Sequence, residues 1–152
     1  MIQAIYFDLD NTICDLFNVQ DWESKLRNED VTPYVEAKPM YNMDTFNDIL
    51  AQLAEQGIHL GVVSHNAIGA SKDYAKAVRD AKLAWCEKYC PLLTNEFHVV
   101  KYGTPKHWPQ RLKFGTILVD DNAVVRERYR GETIDATQDV ISALLDVLAE
   151  VV

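Results

Sequence analysis

The sequence predicts an α/β protein: a three-layer α/β/α sandwich around a mostly parallel sheet. Short unbroken apolar runs recur along the chain, segments of helical periodicity alternate with them, and the links between the two are short. A run such as residues 2–7 lacks the polar alternation of a half-exposed strand, so it is expected to be buried on both faces, as in a parallel sheet. With 152 residues the chain can form one domain with a real core but not two comfortable ones, so residues 1–152 are expected to be a single unit.

After the first strand, residues 14–38 are polar and aromatic by turns and read as a flap with one short helix. In residues 43–56, Phe46, Ile49, Leu50 and Leu53 recur at helical spacing, and Gly57 stands where a C-terminal cap is expected. The run Ile58-His59-Leu60-Gly61-Val62-Val63 is the next strand. Residues 71–89 form a helix with Tyr74, Val78, Ala81 and Trp85 on one stripe. Residues 97–100 make a weaker strand, 116–119 a strong one and 133–135 a short one. A closing helix over 137–152 presents Ile141, Leu144, Leu145 and Leu148.

Chemistry gathers where strands end. Asp8 and Asp10 follow the first strand in Asp8-Leu9-Asp10-Asn11-Thr12, at the carboxyl edge where open α/β sheets bind ligands. With Leu9 between them, a locally extended chain points both carboxylates the same way. Acids in a turn are commonplace. A second pair, Asp120-Asp121, follows the apolar run 116–119, so neighbouring strands would set four carboxylates at one sheet edge. A hard divalent cation with oxygen ligands, Mg²⁺ above all, would resolve that repulsion. Ser64-His65-Asn66 follows the strand at 58–63, where a hydroxyl and backbone N–H groups suit a phosphate oxygen, although Ser64 or Asn66 also suits a helix cap. The loop Lys101-Tyr102-Gly103-Thr104-Pro105-Lys106 offers two lysines, either of which can neutralise a phosphoryl group.

In this order the four pieces resemble the loop motifs of the haloacid dehalogenase superfamily of phosphohydrolases, from residue 2 to about Asn122. Asp8-x-Asp10-x-Thr12 after an apolar strand is the specific element, and Asp120-Asp121 reinforces it. The resemblance implies a Rossmann-type sheet and a phosphatase, a phosphoric monoester hydrolase, with Asp8 as nucleophile and Asp10 as general acid and base. It also implies Mg²⁺ held by the Asp8 carboxylate, the Asp10 backbone carbonyl and Asp121, with Asp120 outside that shell and Thr12 holding Asp10. Ser64 and a lysine would stand at the phosphate; His65, at a position where the family varies, would either join them at the substrate or face solvent. Lys106, expected to open a helix running to Leu112, matches the family's arrangement better than Lys101. Neither 14–38 nor 66–97 has room for a full cap domain, so the chain looks capless or minimally capped. Residues 82–89 are similar to a segment of the 5′(3′)-deoxyribonucleotidases, and Gly103-Thr104-Pro105-Lys106 to the small magnesium-dependent phosphatases.

The expected substrate is a small phosphate ester, with a nucleoside monophosphate favoured if Phe17, Trp22 or Tyr34 stacks on a base rather than packing the flap. The open side of the crevice would be covered by that flap or by a second subunit. Phosphoprotein hydrolysis, phosphoryl transfer and a non-catalytic binding role are the alternatives. A signalling receiver domain is disfavoured, because it places its adjacent acidic pair after the first strand. A net charge of −8 argues against a dedicated nucleic-acid binder. No leader segment or membrane span is visible, and three cysteines without a framework suit a reducing cytoplasm. Cys86 and Cys90 share a helix face and read as packing residues rather than zinc ligands.

Overall fold

The computed structural model describes all 152 residues, Met1–Val152. Its elements in chain order are β1 (Ala4–Phe7), β2 (Cys14–Asp15), α1 (Trp22–Arg27), α2 (Thr32–Glu36), β3 (Lys38–Pro39), α3 (Met43–Glu55), β4 (His59–His65), α4 (Lys72–Tyr89), β5 (Phe97–Val100), β6 (Thr116–Asp120), α5 (Ala123–Arg128), β7 (Glu132–Asp135) and α6 (Val140–Val151). Helix ends follow local chemistry. Asn42, Ser71 and Asp139 cap α3, α4 and α6 by accepting backbone N–H bonds, and Gly57 at φ +83° ends the turn after α3.

Five parallel strands form the central sheet in the order β5-β4-β1-β6-β7. From β1 the chain winds outward through β4 to β5, then returns past β1 to lay down β6 and β7 on its other side. Winding therefore reverses between β1 and β6, which opens a crevice at their carboxyl ends. The two strands are in register, Phe7 opposite Val119, so the residues that follow them stand side by side.

Alternation along the strands divides the core. Ile5, Phe7, Leu60, Val62, Ile117 and Val119 face α3 and α6, which contribute Phe46, Leu50, Leu53, Val140 and Leu144, and α4 adds Trp85 and Cys86. Each such side chain, fully buried, contributes about 1.5–3 kcal/mol. The opposite face, with Ala4, Tyr6, Val63 and Leu118, is covered by Tyr129, by Val125 of α5 and by Leu112. All three cysteines are free and buried in the main core. No helix is long and apolar enough to cross a membrane.

Two expectations need correcting. Residues 106–112 form no helix, only turns. Pro109 lacks an N–H and disfavours helical backbone at Trp108, so a single turn, Trp108 N–H to the Pro105 carbonyl, is all that forms. The backbone N–H groups of Arg111 and Leu112 instead find the Glu96 carboxylate and the Tyr6 hydroxyl. The flap holds two short helices rather than one, closed at its base by the antiparallel pair β2–β3. It packs on α4: Leu16 and Tyr34 meet Tyr74 and Val78, and Glu29 accepts from both the backbone N–H and the hydroxyl of Ser71.

Candidate active site

Asp8 is the first residue beyond β1, and its N–H bonds the Val119 carbonyl at 2.9 Å, which continues the β1–β6 register into the crevice. Asp120 ends β6 beside it, and Asp121 follows. On the other side of β1, Ser64 and His65 end β4. Beyond Asp10 the chain folds back through Asn11 at φ +60°, a left-handed conformation that asparagine tolerates, and the N–H groups of Thr12, Ile13 and Cys14 all converge on the Leu9 carbonyl.

That reversal decides what Thr12 does. Its hydroxyl donates to Asp8 Oδ2 at 3.1 Å and accepts from the Asp121 N–H at 3.2 Å. The expectation that Thr12 holds Asp10 is therefore wrong: the turn at Asn11 carries it to the Asp8 side, where it links the two acidic loops.

Two buried lysines organise the carboxylates. Lys106 Nζ donates to Asp8 Oδ1 at 2.9 Å and to Asp120 Oδ2 at 2.6 Å, whereas Lys101 is exposed and reaches neither. Lys82 Nζ donates to Asp10 Oδ2 at 3.0 Å, Ser64 Oγ at 2.8 Å and the His65 carbonyl at 2.8 Å, and lies 5.0 Å from the centre of the Tyr34 ring. All three ammonium protons of Lys82 are thus matched, while Lys106 uses two of its three. Asp8 and Asp10, though both face one cavity, answer to different cations.

The electrostatic consequences differ for each acid. Burial works to raise Asp8, but the charge and hydrogen bond of Lys106 hold it below the usual carboxylate range. Burial raises Asp10, with the charge of Lys82 opposing and that of Asp8 adding. Burial and the neighbouring Asp8 charge raise Asp120 against the opposing Lys106. For Asp121, burial followed by the charge of Asp8 pushes the carboxyl up to about 7. Lys106 sits above the usual lysine value because Asp8 and Asp120 together outweigh its burial.

Carboxylate oxygens of Asp8, Asp120 and Asp121 all lie within 4.8 Å of one another. This all-oxygen donor set fits a hard divalent cation better than a soft one. Asp120 belongs to the cluster, against the expectation that it stands outside the metal ligands. Asp10 stands outside that cluster, its carboxylate bonded to Lys82 through Oδ2.

A cavity of about 270 Å³ lies over these groups. Asp8, Asp10, Asp120, Asp121 and Lys106 form its polar wall, and Phe17, Trp22 and Tyr34 reach it from the flap. Phe17 and Trp22 stack with ring centres 4.6 Å apart, while Tyr34 is buried against α4. Trp22 also packs against the cluster that holds Tyr34, so two of the three rings pack the flap, and Phe17 stays exposed at the cavity wall. His65 lines the same cavity, its Nε2 2.8 Å from the Thr104 carbonyl and its ring beside Tyr102. Burial keeps His65 below its usual value, so it is neutral at pH 7 and donates Nε2–H to that carbonyl. Ser64 is fully buried, and its hydroxyl accepts from Lys82.

Lys82 is the site residue that sequence reasoning missed. The signal was present: Tyr74, Val78, Lys82 and Cys86 follow one another at four-residue intervals, so this lysine stands on the buried face of α4. Comparison with models of known protein families and with curated proteins gives no match. The functional reading therefore rests on the site itself.

Proposed function

We propose that the protein is a Mg²⁺-dependent phosphomonoester hydrolase of the haloacid dehalogenase type, acting through an aspartyl phosphate on Asp8. The observation that carries this reading is a carboxylate kept ionised by Lys106 while two further aspartates stand within 4.8 Å of it, at the switch point of a parallel sheet. An ionised, oriented carboxylate is a nucleophile, and the excess negative charge around it asks for a cation and its phosphate ligand.

Asp8 attacks phosphorus in line, forming an Oδ–P bond as the ester P–O bond breaks. Asp10, raised by burial and therefore able to carry a proton, gives it to the leaving oxygen. Water then attacks phosphorus, Asp10 takes its proton, and Asp8 is released with inorganic phosphate. Lys106 keeps Asp8 ionised and has one N–H left for a phosphoryl oxygen. Lys82, anchored by the Ser64 hydroxyl and the His65 carbonyl, holds Asp10 in place. Asp8, Asp121 and the Asp10 backbone carbonyl, with Asp120 beside them, would hold Mg²⁺, which would supply electrostatic shielding between the phosphate dianion and the Asp8 carboxylate. A nucleoside monophosphate suits the stacked Phe17–Trp22 pair on the cavity wall.

The test is release of inorganic phosphate from a panel of phosphomonoesters, with Mg²⁺ and with EDTA. Metal-dependent release from at least one class is expected. Release from none, or release that EDTA leaves untouched, would remove the reading.

A further inference from the structure

The cavity over the aspartates does not end at them. On one side it shares Asn66, Ala67, Ile68 and Tyr102 with a cavity of about 620 Å³ against α4, which carries Lys76, Arg79 and Lys101. On the other it shares His65, Lys106 and Asn122 with one of about 510 Å³, which carries Arg128, Arg130 and His107. Of the 23 acids in the chain none lines either flanking cavity, whereas six of its 15 lysines and arginines do. A net charge of −8 makes that segregation unexpected for plain solvation. Arg79, Lys101, Arg128 and Arg130 form no ion pair, and Lys76 pairs only with exposed Asp80 on its own helix. Four of the six cations therefore have no acidic partner beside a site proposed to take a phosphate.

Resting on the phosphatase reading, we infer that the substrate is a phosphate-ended single strand of nucleic acid, its terminal phosphate among the aspartates and its next phosphates along Lys76, Arg79 and Lys101. The whole-chain charge, which argues against a nucleic-acid binder, averages over this local excess. A single-strand site combines a cationic track with aromatic faces for the bases. Both are present: the α4 cavity has the larger volume and an apolar wall of Ile68, Ala70 and half-exposed Tyr102, and Phe17 packs on Trp22 in the wall of the cavity over the aspartates. A phosphopeptide would use the same cations but would leave the aromatic faces without planar partners. The Arg128–Arg130 cavity adds positive potential at the mouth, which steers a polyanion towards the site.

The experiment has a binding arm and a turnover arm. Anisotropy of fluorescein-labelled hexathymidylate, phosphorylated at the 3′ or the 5′ end, is followed on the Asp8→Asn protein with Mg²⁺ from 50 to 200 mM NaCl. Three phosphate contacts predict a log–log salt slope of about −2 for a single strand, hence roughly sixteenfold weaker binding over that range. Lys76→Gln/Arg79→Gln/Lys101→Gln should weaken binding at least tenfold and flatten the slope, Arg128→Gln/Arg130→Gln should do less, and Lys38→Gln/Lys88→Gln, outside both cavities, should not weaken it. On wild-type protein one of the phosphorylated oligonucleotides should exceed thymidine monophosphate in kcat/KM at least tenfold. Turnover of p-nitrophenyl phosphate tests the parent reading separately. If that ester is hydrolysed but neither oligonucleotide outperforms the mononucleotide, the inference fails and the phosphatase stands. A triple variant that binds like wild type, a larger effect at Arg128 and Arg130, or a phosphopeptide preferred over both oligonucleotides would each overturn it.

Discussion

Replacing Lys106 by methionine keeps most of the side-chain volume and removes the charge that Asp8 and Asp120 share. The ammonium makes two charge-assisted bonds, at 2.9 and 2.6 Å, in a site where Lys106 and Asp120 are almost wholly buried. Without it, three carboxylates that bring one oxygen each within 4.8 Å of the others have no cation bonded to them. Breaking a buried pair by deleting one partner costs about 3–5 kcal/mol, because the stranded charge remains desolvated. At 2–4 °C per kcal/mol for a chain of this size, Tm should fall by roughly 6–20 °C in EDTA at pH 7. The pH dependence has a definite sign. In the wild type the folded-state value of Asp8 is depressed, so its contribution is present above the unfolded value and lost as pH falls through the folded one. In the variant, burial and the neighbouring acids raise Asp8 instead, and folding then favours the protonated form. The deficit should therefore be widest above the usual carboxylate range and shrink as pH falls, and Mg²⁺ should narrow it at pH 7. Thermal unfolding of both proteins from pH 4 to 8, with and without Mg²⁺, reads this directly. A deficit below about 1 kcal/mol at pH 7 in EDTA, or one that stays constant with pH, would refute the electrostatic account.

Three further outcomes are expected. Asp10→Asn should slow hydrolysis of an alkyl phosphate by about a hundredfold or more and of p-nitrophenyl phosphate far less, because a nitrophenolate leaves without a proton; equal losses in parallel kcat measurements would remove the general-acid role. Lys82→Met should lower kcat, and its effect should not add to that of Asp10→Asn, since both break one network; additive free energies in the double variant would separate the two residues. Divalent-metal affinity should rise with pH up to about 7, by about tenfold per unit below it, because the ion must displace the proton of Asp121. Calorimetric titration at pH 5.5, 6.5 and 8 should show that rise with proton release at the lower values, and a pH-independent affinity would place the ion elsewhere.

Much of the framework is legible in the sequence. Unbroken apolar runs mark β1, β4 and β6 because both faces of a central parallel strand are buried. The helical stripe of α3 matches the residues that enter the core, whereas on α6 Leu145 stays exposed and Val140 and Val147 join Leu144 and Leu148 inside. Asp8 and Asp120 come together because their strands are neighbours, which two acidic pairs at strand ends already suggested. Other features depend on geometry that spacing does not carry. The left-handed turn at Asn11 moves Thr12 from Asp10 to Asp8. Pro109 cancels the helix expected after Lys106, and the buried Glu96 and Tyr6 side chains hold that loop instead. Lys82 was hidden by its own helix, where a lysine among apolar residues looks like a solvated exception until Asp10 and Ser64 are seen to meet it. The segregation of cations around the site cannot be read from net charge, which has no direction.

The most direct measurement of the central claim is rapid acid quench of the protein turning over a phosphomonoester with Mg²⁺, followed by peptide mass spectrometry. The account predicts one phosphoryl group on the peptide containing Asp8, labile to alkali and to hydroxylamine as an acyl phosphate is. It also predicts no such group in Asp8→Asn, whose phosphate release should be lower by several orders of magnitude. Steady phosphate release with no phosphorylated Asp8 at any quench time, or turnover in Asp8→Asn above about a tenth of wild type, would contradict it.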